Sequence, residues 1–143
     1  MAHEPAIALQ VLQSQLGNDS VLSATIKGIY SSTVPGKALF PYILIVSNGG
    51  SDMTTAGGRA YSEPSFLVKV VSVNDQQDKT ANVALGRIDE LLQGYQAPEG
   101  NAFVSIRSFG ILPEFVENTS PSTNFFRHAG RYWRVTVSLP SLT

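Results

Sequence analysis

Two stretches of the chain carry apolar residues at helical spacing, and five shorter ones carry β character. In residues 6–16 the apolar positions are Ile7, Leu9, Val11, Leu12 and Leu16, with Pro5 suited to a first helical turn. Gly17-Asn18-Asp19-Ser20 then supplies a stop and a fresh cap, and residues 21–24 add one more turn. The stronger helix is predicted over residues 76–95. There Ala81, Ala84, Leu85, Ile88, Leu91, Leu92 and Tyr95 form one stripe, and Lys79, Asn82, Gly86, Arg87, Asp89, Glu90 and Gln93 form the polar face. Asp75 is placed to cap it, and Asp78 sits in its first turn, where the dipole favours negative charge. Ala97-Pro98-Glu99-Gly100 closes the segment.

Residues 26–30 read as a short β-branched strand, and residues 31–37, with Pro35-Gly36, as a turn-rich connection. Residues 41–47 are continuously apolar, which implies burial on both faces, and Pro41 stands at the first residue, where a strand tolerates it. Residues 64–73 alternate: Phe66, Val68, Val70 and Ser72 on one face, Leu67, Lys69, Val71 and Val73 on the other. These two strands form a hairpin whose connection, residues 48–62, reads as a long glycine-rich loop. Residues 103–109 and 130–139 are further strands, the second placing Trp133, Val135, Val137 and Leu139 opposite Tyr132, Arg134, Thr136 and Ser138. Residues 110–129 are a second arm or an unresolved pair of strands. The order of elements predicts class α+β: a mixed, largely antiparallel sheet packed against two helices, with two long protruding loops.

Composition narrows the function. With 143 residues the chain can bury a sizeable core without disulfide or metal. The absence of cysteine removes thiol catalysis, zinc–thiolate sites and iron–sulfur clusters. A net charge of −1 and a pI near 6.1 lack the dense positive field of a sequence-independent nucleic-acid or acidic-membrane binder. Charged residues make up 15%, against roughly 25% in soluble domains, so much of the surface is expected to face other protein. The start of the chain carries Glu4 and Pro5 where a signal peptide would be basic and then apolar. The longest apolar run, residues 39–46, falls far short of the ~20 residues that cross a bilayer. Synthesis in a cytosol is the expectation.

No reaction chemistry assembles from spacing. The two histidines, His3 and His128, are far apart in sequence and suggest no metal-ligand cluster. There is no nucleophile elbow, and Gly36-Lys37 lacks both the upstream glycine and the following Ser or Thr of a phosphate-binding loop. No catalytic residue, cofactor or metal is therefore predicted; a deep pocket holding His128 beside Glu114 or Glu117 would reopen an enzyme reading. Arg107, Arg127, Arg131 and Arg134, interleaved with Phe125, Phe126, Tyr132 and Trp133, allow a single-strand-binding or small-ligand module. Against it, alternation puts Trp133 in the core and leaves the arginines to pair with Glu114 or Glu117.

An N-terminal helix, Asn18-Asp19-Ser20-Val21, Ile29-Tyr30, Val34-Pro35 and Phe40-Pro41-Tyr42-Ile43 resemble the opening of the tail terminator (tail completion, tail-to-head joining) proteins of long-tailed bacteriophages. The helix from Asp75 and the ending His128-Ala129-Gly130-Arg131-Tyr132-Trp133-Arg134-Val135-Thr136-Val137 resemble the same family's later half, so residues 1–143 read as one such domain. The resemblance implies a non-enzymatic virion protein assembled in the host bacterial cytoplasm. Its place would be the head–tail junction, as a ring, commonly a hexamer, that stops tail-tube elongation and offers a docking surface to the head connector. Its implied partners are copies of itself, the tail tube protein, the connector or stopper protein and, in a contractile tail, the sheath. DNA would only pass through the lumen, and no membrane is involved. Another neck ring, a stopper or adaptor, is the alternative within that class. Loop and strand position nominate the subunit or tube contacts: Asp52, Met53, Arg59 and Tyr61 in the first arm, and Phe115, Phe125, Phe126, Arg127 and His128 in the second.

Overall fold

The computed structural model describes residues 4–55, 58–73, 78–118 and 125–138. Helix α1 (Glu4–Gly17) buries Ala8, Val11, Leu12 and Leu16, one stripe at i, i+3, i+4 and i+8. Helix α2 (Ser20–Thr25) follows at once, contributing Leu22 to the core. Helix α3 (Asp78–Leu92) buries Ala81, Ala84, Ile88 and Leu92 as its periodicity predicts, with Leu85 and Leu91 packed at the margin. Asp78 opens that helix, while the predicted cap Asp75 lies outside the described residues.

Six strands form one sheet in the order β1-β2-β3-β6-β5-β4. They are β1 (Ile29–Ser31), β2 (Tyr42–Thr55), β3 (Gly58–Val73), β4 (Gln96–Glu99), β5 (Ala102–Asn118) and β6 (Phe125–Ser138). Only the β1–β2 pair is parallel, so the class is α+β with a mixed, largely antiparallel sheet, as expected. The helices lie against one face. Ile43 and Ile45, Phe66, Val68 and Val70, Trp133, Val135 and Val137, and Val104 and Ile106 come from four neighbouring strands to meet them in a single buried cluster. Across the other face a chain of rings runs Tyr30, Tyr42, Phe40 and Phe126, with centroids 5.6, 5.1 and 5.2 Å apart in turn.

Three expectations change. The helices number three among the described residues, because Asp19 caps the extra turn into an element of its own. The two protruding loops are largely strand: β2 and β3 pair from Tyr42↔Val71 out to Thr55↔Gly58, and β5 and β6 from Phe103↔Ser138 out to Asn118↔Phe125, the pair of strands that was the second reading of residues 110–129. Cross-strand hydrogen bonding absorbs the glycines and prolines through register shifts at Ser47/Gly50, Met53/Thr54, Ser108/Gly110 and Leu112/Phe115. Residues 97–99 of the helix-closing segment 97–100 lie instead in the edge strand β4, where Pro98 needs no ladder donor. At the centre, Gly130 allows β6 to lie close to β3: a Cβ there would clash with the Val68 carbonyl oxygen and sit 2.6 Å from Lys69 Cα.

One buried ion pair ties the helical layer together. The Asp19 carboxylate accepts from Leu22 N at 3.0 Å, capping α2, and from Arg87 Nε of α3 at 3.0 Å, while Arg87 Nη2 approaches its other oxygen at 2.6 Å. These hydrogen bonds, Arg87's above all, hold the Asp19 carboxyl below the usual carboxylate range against the opposing effect of burial. Asp19→Ala is expected to lower the unfolding free energy by ~1–2 kcal/mol, the scale of a lost cap, as read by chemical denaturation. Because folding depresses this pKa, the contribution is complete above the unfolded value of about 3.9 and fades as pH falls through the folded one. Asp19→Asn should therefore flatten the acid limb of the stability–pH curve, and an unchanged limb would refute the pairing.

Candidate assembly interface

The predicted second arm is the outer half of the β5–β6 ribbon. The two register shifts in β5 reset which side chains face which way, setting Ile111 opposite Arg131 and Phe115 opposite His128. Because the ribbon runs beyond the helices, apolar groups stay in water on both of its faces. Phe109, Ile111, Phe115, Val116 and Phe125 are 42, 64, 44, 53 and 49% exposed. So dense a set on one hairpin is the pattern of a contact surface rather than of scattered surface residues. Ile111 and Val116 were not singled out in the sequence, although the apolar content of residues 109–116 was the available signal.

Of the nominated residues, Phe115, Phe125, Phe126, Arg127 and His128 lie together on this ribbon, all in strand. Phe125 is exposed, Phe126 half-buried against Phe40, and Arg127 Nε lies 3.1 Å from Glu114 Oε1. Tyr61 belongs to the other hairpin, half-buried and paired with Met53 and Ser138. The side chains of Asp52, Met53 and Arg59 lie outside the described residues.

His128 is buried at the root of the ribbon. Its ring stacks on Phe115, with centroids 4.4 Å apart and 8° between planes, and its Nε2 lies 3.0 Å from Glu117 Oε2. Lys69 Nζ stands 5.8 Å from the Phe115 centroid on the same side. Burial first, and then the Lys69 charge, pull the imidazole below its ordinary value, and Glu117 offsets part of that. Lys69 is itself lowered by burial, and Tyr42 is raised by burial and by the Glu117 charge. The His128–Glu117 pair is thus real, but its carboxylate is 54% exposed, and neither residue lines the cleft beside α3 or the polar hollow near Glu63.

The arginines are each engaged by carboxylates. Arg131 Nε meets Asp89 Oδ2 at 3.1 Å, and Arg107 and Arg134 flank Glu63 at 3.7 and 3.8 Å, Arg134 also lying 4.7 Å over the Phe109 ring. Trp133 is 1% exposed, which removes it as a stacking platform for single strands. Among the described residues no group of three or more His, Asp or Glu side chains could hold a metal. Between α3 and the ribbon root opens a cleft of about 300 Å³, walled by Leu85, Ile88, Ile111, Pro113 and Trp133 and rimmed by Asp89, Glu114 and Arg131.

No family model matches the chain, and no curated protein matches it by sequence. By fold it is similar to a chain of the virion of a native gene transfer agent particle, with a TM-score of 0.66 at 19% identity over 94% of this chain and 99% of that one. A second solved chain is similar with a TM-score of 0.64 at 11% identity, over 99% of this chain and 100% of that chain. The likeness runs end to end in both cases and establishes a shared fold.

The ribbon geometry has a titration consequence. Glu117→Gln removes the group that raises the His128 pKa, so NMR titration of the variant should show a value lower still than the wild type's. With the folded pKa already below the unfolded ~6.5, the unfolded chain binds the extra proton first. Stability is therefore expected to fall as pH drops below about 6.5, and His128→Gln should remove that dependence.

Proposed function

We propose that this chain is a structural protein of a phage-type virion, a tail terminator that closes into a ring on the head-proximal end of the tail tube. The observation that carries the reading is the end-to-end likeness in fold to a chain of a gene transfer agent virion. The exposed apolar ribbon supports it, since such a surface is what neighbouring subunits or a tube end would cover. In this reading the ring stops tube elongation and presents its far side to the head connector, while DNA passes through the lumen. Phe115, Phe125, Phe126, Arg127 and His128 contribute to subunit or tube contacts, with Tyr61 and the tip of the β2–β3 hairpin, including Asp52, Met53 and Arg59, on the other arm. The role is non-enzymatic and needs no cofactor, and the low charge of the surface follows from its being shared with neighbours.

The test is the mass of the purified protein by size exclusion with light scattering, followed by negative-stain imaging. A ring several times the 15.4 kDa subunit mass is expected, with full or partial loss of that mass in Phe115→Asp at unchanged circular dichroism. A strict monomer that added tail tubes fail to recruit would overturn the reading.

A further inference from the structure

Alternation sorts the side chains of β5 and β6 to opposite faces of the sheet. Val104, Ile106, Val135 and Val137 meet the helices, so Ser105, Arg107, Arg134 and Thr136 stand on the helix-free face. There Ser105 pairs with Thr136, and Arg107 stands directly opposite Arg134. Two like charges on register partners, with Cβ atoms about 4.5–5.5 Å apart, destabilise a sheet. The one carboxylate that either arginine reaches among the described residues is Glu63 of β3, 3.7 Å from Arg107 Nη2 and 3.8 Å from Arg134 Nε. Both separations exceed hydrogen-bond length, while Glu63 Oε1 accepts a long hydrogen bond from the Thr136 hydroxyl at 3.4 Å. One negative charge thus stands against two positive ones, and the guanidinium N–H groups of both arginines have no hydrogen-bond acceptor among the described residues.

Arg107 also lines the polar hollow near Glu63, whose volume of about 450 Å³ falls within the ~300–1,000 Å³ of ligand pockets. The short side chains Ser105 and Thr136 leave the depression, and Tyr61, Glu63, Gln96 and Arg107 stand around it. Most of these groups can donate: the hydroxyls of Tyr61 and Ser105, the amide of Gln96 and the fork of Arg107. Glu63 is the only acid in the lining, and Thr136 and the two arginines already engage it. Surplus donors beside an excess positive charge select an anion. Arg134, next to Arg107, has its guanidinium 4.7 Å over the Phe109 ring, which holds the plane by one face and leaves its N–H edge open. Such an edge matches an oxyanion through paired hydrogen bonds. Donors converging from β3, β4, β5 and β6 suit a group with at least three acceptor oxygens, which a phosphate carries and a carboxylate lacks.

We infer that this hollow binds a phosphate group, with Arg107 and Arg134 taking its oxygens, Ser105 and Tyr61 donating from the floor and wall, and Glu63 holding the two guanidiniums side by side. The phosphate supplies the second negative charge that the arginine pair lacks. Its source is either the free ion or the phosphodiester backbone of a nucleic acid. The site lies within a single copy of the chain and is independent of the ring reading above.

The test is calorimetric titration of the full chain with inorganic phosphate at fixed ionic strength, repeated in the presence of a short DNA duplex. Saturable binding of one phosphate per copy is expected, weakened about tenfold or more in Arg107→Gln, the scale of a lost charge-assisted hydrogen bond. Arg107 is 60% exposed, so the variant should keep its circular dichroism, and phosphate should raise the melting temperature of the wild type but not of Arg107→Gln. Arg107→Lys, which keeps the charge and loses the fork, should bind with intermediate affinity. Lys37→Gln removes an exposed cation in the connection between β1 and β2 and should leave the affinity unchanged. Displacement of phosphate by the duplex would make a nucleic-acid backbone the source, and phosphate binding that the duplex does not disturb would make it the free ion. No saturable phosphate binding, an unchanged affinity in Arg107→Gln, or an equal loss in Lys37→Gln overturns the site.

Discussion

The constraint behind the whole molecule is a mismatch of length between its two layers. A strand of 17 residues such as β5 extends about 56 Å, whereas the 15-residue α3 covers about 22 Å. Helices on one face can bury only the middle of such a sheet. The β-ladders continue past that cover because backbone hydrogen bonding propagates from strand to strand without needing a core beneath it. The uncovered ends therefore keep strand geometry while losing the burial that elsewhere selects inward-facing apolar side chains. Exposed Phe115, Val116 and Phe125, the bulges that re-aim them, and the cleft at the point where cover stops all follow from that one difference in reach.

The same constraint explains what could be read from the chain. Periodicity is a record of one-sided burial, so it was clear where burial is one-sided: the stripe of α3, the inward set Phe66, Val68 and Val70, and the placement of Trp133 in the core. A cap within residues 17–20 was legible because its chemistry is local, although the choice of Asp19 and its partner Arg87, 68 residues away, was not. On the ribbons alternation has no core to point at, and glycine, proline and serine in residues 48–62 and 110–129 look like loop unless a partner strand is known. Strand β4, four residues with a central proline, left almost no signal. The candidate interface was half visible: the aromatic residues of residues 110–129 stood out, whereas Ile111 and Val116 stand out only once the β5–β6 pairing leaves them exposed on the ribbon.

Electrostatics here serves location more than stability. With few charges available, several carboxylates fasten one element to another: Asp19 to α3, Asp89 of α3 to β6, and Glu114 of β5 to Arg127 of β6. Exposed pairs of this kind contribute little each. Asp19–Arg87 is the exception, being largely removed from water on the carboxylate side. Of the exposed pairs, Asp89–Arg131 and Glu114–Arg127 stand at the rim of the cleft.

Trp133 is the sole tryptophan of the chain, and it stands in the wall of that cleft while packed in the core. Its indole emission therefore samples two events with one chromophore. Unfolding exposes the ring to water and moves the emission to the red, whereas any group that enters the cleft alters the polarity and quenching around a ring that stays buried. The molecule carries an intrinsic optical probe at the junction of its folded interior and the cleft, so unfolding and occupancy of the cleft can be followed separately without a label.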